Sequence, residues 1–365
     1  FSTEFAPLAD RCIDNGVVDR DAWYKAGEAG LLCAEIPAEF GGAGGDYRHD
    51  SVILEEMHRA GVPGFGQQVH SSIVAPYFLH YGTEEQKQRF LPKFASGELR
   101  GGLALTEPDC GTDLQAVRTR ARKQGNGYVV NGTKTWISNG INGHCVALLV
   151  KTDPEATPRH KGMSMFIAEK REGYTVSKKL EKLGYKGIDS AELIFEDYQI
   201  GAENLIGGEE GKGMQTALGG LELGRINIAA RGCGLASAAL MDSVRYSQQR
   251  KTFGKPIAEH QAIQLKLGEM ATKLQAARLL TYDAARAYDT GERCDMEAGM
   301  AKYFASEAAV DNSLEAMRIH GGYGYSKEYH VERYFRDAPL MCIGEGTNEI
   351  QRMIIAKQLI ARHPA

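Results

Sequence analysis

The chain has 365 residues, 43% of them hydrophobic, which is enough for two or three packed units rather than one small core. Its 43 Lys and Arg stand against 47 Asp and Glu, a net charge of -4, so no overall field draws it to nucleic acid or anionic lipid. Seven scattered cysteines with no C-x-x-C pair argue against a disulfide framework or a zinc ribbon and favour a reducing compartment, and no apolar run reaches the roughly 18 residues of a membrane span. The sequence begins at Phe1 with Phe5 to Leu8 already in a helical pattern, so a native N-terminus with any targeting segment is expected to precede it.

Residues 1–100 read as helical. Asp21-Ala22-Trp23-Tyr24 opens one segment, Asp50 is expected to cap another running through Val52, Leu54 and Met57, and Gly41 to Gly45 form a loop between them. Residues 101–206 change texture: short runs rich in Val, Ile, Tyr and Thr are punctuated by turn residues. Asn131-Gly132 is expected to close a hairpin, and the lack of helical crossovers makes this third mostly antiparallel. Residues 207–365 are helical again. Ile263, Leu267, Met270, Leu274, Ala277, Thr281 and Ala284 alternate at spacings of four and three, a core or subunit seam. Gly291 breaks that helix, and another runs from about Asp295 to His320 and stops at Gly321-Gly322. The expected class is α+β, with an N-terminal helical domain (1–100), a central antiparallel β domain (101–206) and a C-terminal four-helix bundle (207–365).

Several familiar sites are missing. Gly207 to Gly213 is one residue short of a phosphate loop and lacks a hydroxyl after Lys212, so it reads as a flexible lead-in to the next helix. No G-x-G-x-x-G follows a strand, the ten histidines show no metal-ligand spacing, and no G-x-S-x-G nucleophile elbow occurs. No metal is expected, and His260, His320 and His330 read as structural or surface residues.

Four segments together resemble the acyl-CoA dehydrogenase family over nearly the whole chain. Ala104-Leu105-Thr106-Glu107-Pro108-Asp109-Cys110-Gly111-Thr112-Asp113 is similar to its A-x-T-E-P-x-x-G-S-D flavin segment, with Thr112 for the usual Ser. A turn of backbone N–H groups and short hydroxyls suits the pyrimidine edge of an isoalloxazine and a nearby pyrophosphate. Lys134-Thr135-Trp136-Ile137-Ser138-Asn139 is similar to K-x-W-I-T/S-N, and Trp136 and Ser138, two apart, face one side of a strand. Arg250-Lys251-Thr252-Phe253-Gly254-Lys255-Pro256-Ile257, with Gln261, resembles the turn that reaches the FAD of a neighbouring subunit. Gly321-Gly322-Tyr323-Gly324 belongs to that site by resemblance. Arg318 stands where the family often has Gln, either as an extra cation toward the cofactor or as a solvated helix end.

Arg336-Asp337 followed by Ile343-Gly344-Glu345-Gly346-Thr347-Asn348-Glu349-Ile350-Gln351 resembles the R-D…E-G-T-x-x-I-Q ending. Glu345 falls on the position of the catalytic base, and Thr347 and Glu349 on cofactor positions. Some relatives place the base just before the Arg of the helix that here reads Leu221-Glu222-Leu223-Gly224-Arg225; Gly224 leaves Glu345 without a rival. By resemblance Glu222 and Arg225 help bind CoA, the plainer reading being an i,i+3 pair, while Gly344 and Gly346 border the acyl group. A Tyr often precedes the base in straight-chain members, so Gly344 leads us to expect tolerance of a branched, cyclic or bulky acyl group.

The resemblance implies FAD-dependent α,β-dehydrogenation of an acyl-CoA to a trans-2-enoyl-CoA, electrons passing to an electron-transfer flavoprotein, and a homotetramer built as a dimer of dimers. It implies a cytoplasmic location in a bacterium or the mitochondrial matrix in a eukaryote. An acyl-CoA oxidase on the same fold is the nearest alternative, and a non-catalytic flavin- or CoA-binding scaffold is a second.

Overall fold

The structure is a computed structural model that describes residues 1–62 and 64–364. Helices α1 (Ala9–Asn15), α2 (Arg20–Glu28) and α3 (Tyr47–Arg59) come first; α4 (Gln67–Val69) then runs through a π turn (His70–Val74) into α5 (Ala75–Tyr81), and α6 (Glu84–Ala95) follows. The start of α3 differs from expectation. Asp46 is its N-cap, accepting from His49 N–H at 3.1 Å while His49 Nδ1 accepts from Asp46 N–H at 3.2 Å. This is a capping box with His in place of Glu or Gln, which hides its signature. Asp50 lies inside the helix and is buried.

The central sheet holds β1 (Gly101–Ala104), β2 (Arg120–Gln124), β3 (Gly127–Ser138), β4 (Cys145–Lys151), β5 (Met163–Glu169), β6 (Tyr174–Lys179) and β7 (Ser190–Gly201). Its order is β1-β4-β2-β3-β7-β6, with β5 on the other edge of β4. Most pairs are antiparallel, but β1 runs parallel to β4, and β2 touches the same edge of β4 at Arg120 and Lys151. The chain between β1 and β2, residues 105–119, is therefore an excursion between two strands that share one edge. Cys145, Ala147 and Leu149 of β4 join the core of the N-terminal helices, and Val146, Leu148 and Val150 join a second core on the opposite face. Burial on both faces explains why β4 is a continuous apolar run.

Asn131-Gly132 is not a hairpin. β3 passes straight through it with a register shift against β7, a bulge in which Asn131 Nδ2 donates to Asp197 Oδ1 at 3.2 Å and Asn131 Oδ1 accepts from Asp197 N–H at 2.9 Å. The hairpin lies one turn earlier, at Gly125-Asn126 between the paired Gln124 and Gly127. Asn-Gly serves a bulge as well as a turn, and the sequence alone does not separate the two.

The last third contains α7 (Gly213–Gln249), a short β8–β9 ribbon (Lys251–Thr252, Lys255–Pro256), α8 (Gln261–Asp289), α9 (Asp295–His320), α10 (Val331–Asp337), α11 (Pro339–Ile343) and α12 (Asn348–Arg362). The α8 stripe packs inward from Met270 to Ala284, and α7 is buried along most of its length. α7 crosses the N-terminal helices as well as the bundle, and so brings the two helical parts to one place: Tyr47 Oη on α3 donates to the carbonyl of Leu223 on α7 at 2.9 Å.

Candidate active site

Glu345 stands in the turn between α11 and α12. Its φ is 55° and that of Gly346 is 83°, a left-handed stretch that costs a non-glycine residue of order 1 kcal/mol. Neighbouring side chains hold it there. Gln351, fully buried, donates from Nε2 to the carbonyls of Glu345 (3.2 Å) and Gly346 (3.0 Å). Thr347 caps α12 by accepting from Ile350 N–H, and Asn348 accepts from the buried Lys302 Nζ at 2.8 Å. The turn sends the Glu345 side chain back onto α7. A Cβ built on Gly224 would lie 2.4 Å from Glu345 Oε2, so only glycine admits the carboxylate at that place.

No donor among the described residues reaches either Glu345 carboxylate oxygen, and its backbone N–H finds no acceptor among them. Burial raises its pKa, while the positive charges of Arg231, Lys302 and Arg225 act the other way and leave a net rise. Lys302 is itself lowered to about 8, chiefly by burial. An unbonded carboxylate of raised basicity next to a free N–H is the equipment for removing a proton beside a carbonyl.

Glu222 and Arg225 do not pair with each other. Cys294 Sγ donates to Glu222 Oε1 at 3.1 Å, and Arg225 lies 3.8 Å from Asp295 with its Nε buried and unbonded. Gly344 has φ -67°, an ordinary value, and a Cβ there would meet only the carbonyl oxygen of Leu340 at 3.4 Å, leaving room beside the base.

The excursion at 105–119 is tied down by Glu107, whose carboxylate accepts from Arg118 N–H (2.7 Å), Thr119 N–H (2.9 Å), Thr119 Oγ1 (2.6 Å) and Lys134 Nζ (2.9 Å). Burial alone would raise its pKa; Lys134 and these hydrogen bonds outweigh it and hold Glu107 low. Lys134 also donates to the Leu105 carbonyl, and Thr135 N–H to that of Thr106. Thr106 is half-exposed, and Gly111 and Thr112 are exposed. Trp136 adopts φ 62° and is 58% exposed, while Ile137 is buried and Ser138 half-exposed. The indole thus presents an uncovered aromatic face beside short hydroxyls, a surface whose chemistry fits a planar flavin.

A second set of residues gathers at the other end of the bundle. Arg250, Gln261, Gly321 and Gly322 are exposed, Phe253 is 97% exposed at φ 52°, and Thr252 Oγ1 lies 3.0 Å from His260 Nε2. Arg318 pairs with Glu315 three residues before it, as a solvated helix end does, and Glu349 pairs with Arg352 at 3.0 Å. Lys302, Arg231 and the tether Gln351 were not singled out as site residues. A Lys inside the alanine stripe Ala298, Ala301 and Ala305 was the available signal. His320 Nδ1 lies 2.8 Å from the Ala316 carbonyl within its own helix, and no group of three or more metal-binding side chains occurs among the described residues.

The sequence matches the models for the acyl-CoA dehydrogenase N-terminal domain over residues 1–98, middle domain over 102–198 and C-terminal domain over 211–360. An acyl-CoA dehydrogenase of Bacillus subtilis is 45% identical over 359 residues, spanning 98% of this chain and 94% of the relative. A 3-(aryl)acrylate reductase of Clostridium sporogenes is 41% identical with the same spans. The crystal structure of an acyl-CoA dehydrogenase from Geobacillus kaustophilus superposes with a TM-score of 0.94 at 40% identity, covering 98% of this chain and 94% of that one.

Proposed function

Because the chain belongs to the acyl-CoA dehydrogenase family, whose members are FAD-dependent oxidoreductases acting on CH–CH bonds, we propose that Glu345 is the base that removes the α-proton of an acyl-CoA thioester. The observation that carries this is the Glu345 carboxylate itself, unbonded and laid against Gly224. Its carboxylate takes the proton from Cα, and its backbone N–H bonds the thioester oxygen as charge develops there. FAD, when bound, would supply the acceptor for the hydride leaving Cβ, so that the product would be the trans-2-enoyl-CoA.

Leu105, Thr106, Gly111, Thr112, Trp136 and Ser138 would hold the flavin. Arg250, Thr252, Phe253, Gln261, Arg318, Gly321, Gly322, Thr347 and Glu349 would complete the cofactor site where subunits of a homotetramer meet. Phe253, Leu265 and Leu279 are exposed, and such an assembly would cover them. Glu222 and Arg225 would steady the CoA portion, and Gly344 and Gly346 would border a branched, cyclic or bulky acyl group. Electrons would pass to an electron-transfer flavoprotein, in the cytoplasm of a bacterium or the mitochondrial matrix of a eukaryote.

The test is the visible spectrum of the purified protein during anaerobic titration with linear, branched, cyclic and aromatic acyl-CoAs. Bleaching of the oxidised flavin band supports the reading and ranks the substrates. A bound flavin that no acyl-CoA bleaches overturns it. The aryl-acrylate reductase relative carries a second reading, saturation of an acrylate; reoxidation of the reduced protein by free aryl acrylates, with no response to acyl-CoAs, would favour that one.

A further inference from the structure

Lys302 is fully buried on α9, within the small-residue face formed by Ala298, Ala301 and Ala305. Its Nζ donates to the carbonyl of Cys342 in α11 at 3.1 Å and to Oδ1 of Asn348, the first residue of α12, at 2.8 Å. Glu345 lies midway between these two in the chain, so a single ammonium ties down both ends of the turn that carries the base. The Asn348 amide is oriented for this by its other end, where Nδ2 donates to Glu307 Oε1 at 2.7 Å.

Two neutral oxygens call for donors, not for a charge. A side-chain amide would serve them, and burying an ammonium without a carboxylate bonded to it is costly. Lys302 forms no ion pair among the described residues, and its third N–H finds no acceptor among them. The acidic groups whose fields reach it are the Cys342 thiol, Glu345, Glu349 and Glu307. Glu307 and Glu349 are exposed, and they are engaged by Asn348 and Arg352 respectively. That leaves Glu345, whose carboxylate has no donor of its own, as the group that uses the charge.

We propose that Lys302 is a positioning residue for the dehydrogenation, clamping the turn at Cys342 and Asn348 and supplying a positive charge that keeps Glu345 ionised in a pocket closed to water. This rests on the reading of Glu345 as the base and deepens it. The other groups that face Glu345 are the guanidinium groups of Arg225 and Arg231 on α7, which do not titrate, and the phenols of Tyr47 on α3 and Tyr77 on α5, which burial keeps protonated. Burial raises the pKa of Glu345 and Lys302 opposes that rise together with the two arginines. With the Lys302 charge removed, Glu345 rises further, and a smaller fraction of the base is ionised at any given pH.

The experiment follows the rate of flavin reduction by acyl-CoA in anaerobic holoenzyme as pH is raised toward, but not into, the region near 8 where Lys302 itself gives up its proton. The parent is compared with Lys302→Gln and with the double variant Asn348→Asp, Glu307→Gln. The double variant keeps the shape of every side chain and moves a carboxylate from the exposed position to the one that touches Lys302, so the clamp stays while its charge is neutralised. In both we expect the acid limb of the profile to move to higher pH, the rate on its acid side falling about tenfold for each unit of movement and recovering as pH rises. A rate lowered by the same factor at every pH, with the limb unmoved, makes Lys302 a structural tether only and overturns the proposal, as does a parent profile in both variants. Should Lys302→Gln fail to fold, the isosteric double variant decides alone. Either negative result leaves Glu345 as the base, whereas flavin reduction at the parent rate in Glu345→Gln overturns that reading and this proposal with it.

Discussion

Gly224→Ala separates the role of Glu345 from the stability of the helix beneath it. The added methyl would lie 2.4 Å from Glu345 Oε2, 2.8 Å from Cδ and 3.0 Å from Cγ, where ordinary contact begins at 3.4 Å. The carboxylate must retreat by about 1 Å, because α7 is packed on several sides and cannot shift. As a helix residue, alanine is the better choice by about 0.5–1 kcal/mol, so the variant should fold and hold flavin as the parent does. A misplacement of about 1 Å at a reacting group costs on the order of 10²-fold in rate. Rapid mixing of the oxidised holoenzyme with excess acyl-CoA under anaerobic conditions measures flavin reduction directly. A folded, flavin-loaded Gly224→Ala enzyme that reduces at the parent rate would refute the placement of the base against α7.

Lys134→Met should strand Glu107 as a buried charge, lower stability by about 3 kcal/mol in denaturant melts and release flavin more readily, since the 105–119 excursion loses its anchor. Gly344→Tyr should fold normally, because φ there suits any residue, and should lower the branched-to-linear ratio of kcat/KM by filling the space beside Glu345. Asp50 rises from 3.8 to about 7 by burial, so the folded protein holds its proton more tightly than the unfolded chain does. Its contribution is present below pH 4 and is lost as pH rises toward 7, on the order of 4 kcal/mol in all. Asp50→Asn should therefore flatten the dependence of Tm on pH between 4 and 7, and an unchanged slope would contradict the burial assigned to Asp50.

Residues that answer to a local rule were legible in the sequence. β4 showed as an unbroken apolar run, α9 ended at Gly321 as its cap predicted, and Trp136 and Ser138 face out around a buried Ile137. What escaped depends on distant partners. Arg231 and Lys302 act on Glu345 from α7 and α9, far away in the chain; nothing local distinguishes Arg231 from a surface cation, and Lys302 shows only as a Lys inside an alanine stripe, which does not name its partner. Gly132 is glycine because Thr119 fills the place of its Cβ, a contact across strands that mimics a turn signal in one dimension. The cap of α3 was placed at Asp50 because Asp46 pairs with a His, and Asp50 proved to be a buried carboxyl between helices. Likewise, the parallel pairing of β1 with β4 arises without a helical crossover because β2 and β3 intervene in the connection.

Glu345→Gln tests the central claim most directly, because it keeps the shape of the side chain and removes its basicity. Flavin content and acyl-CoA binding should persist, while anaerobic flavin reduction by acyl-CoA should slow by at least about 10²-fold. Reduction at the parent rate in a flavin-loaded Glu345→Gln protein would contradict the assignment of Glu345 as the base.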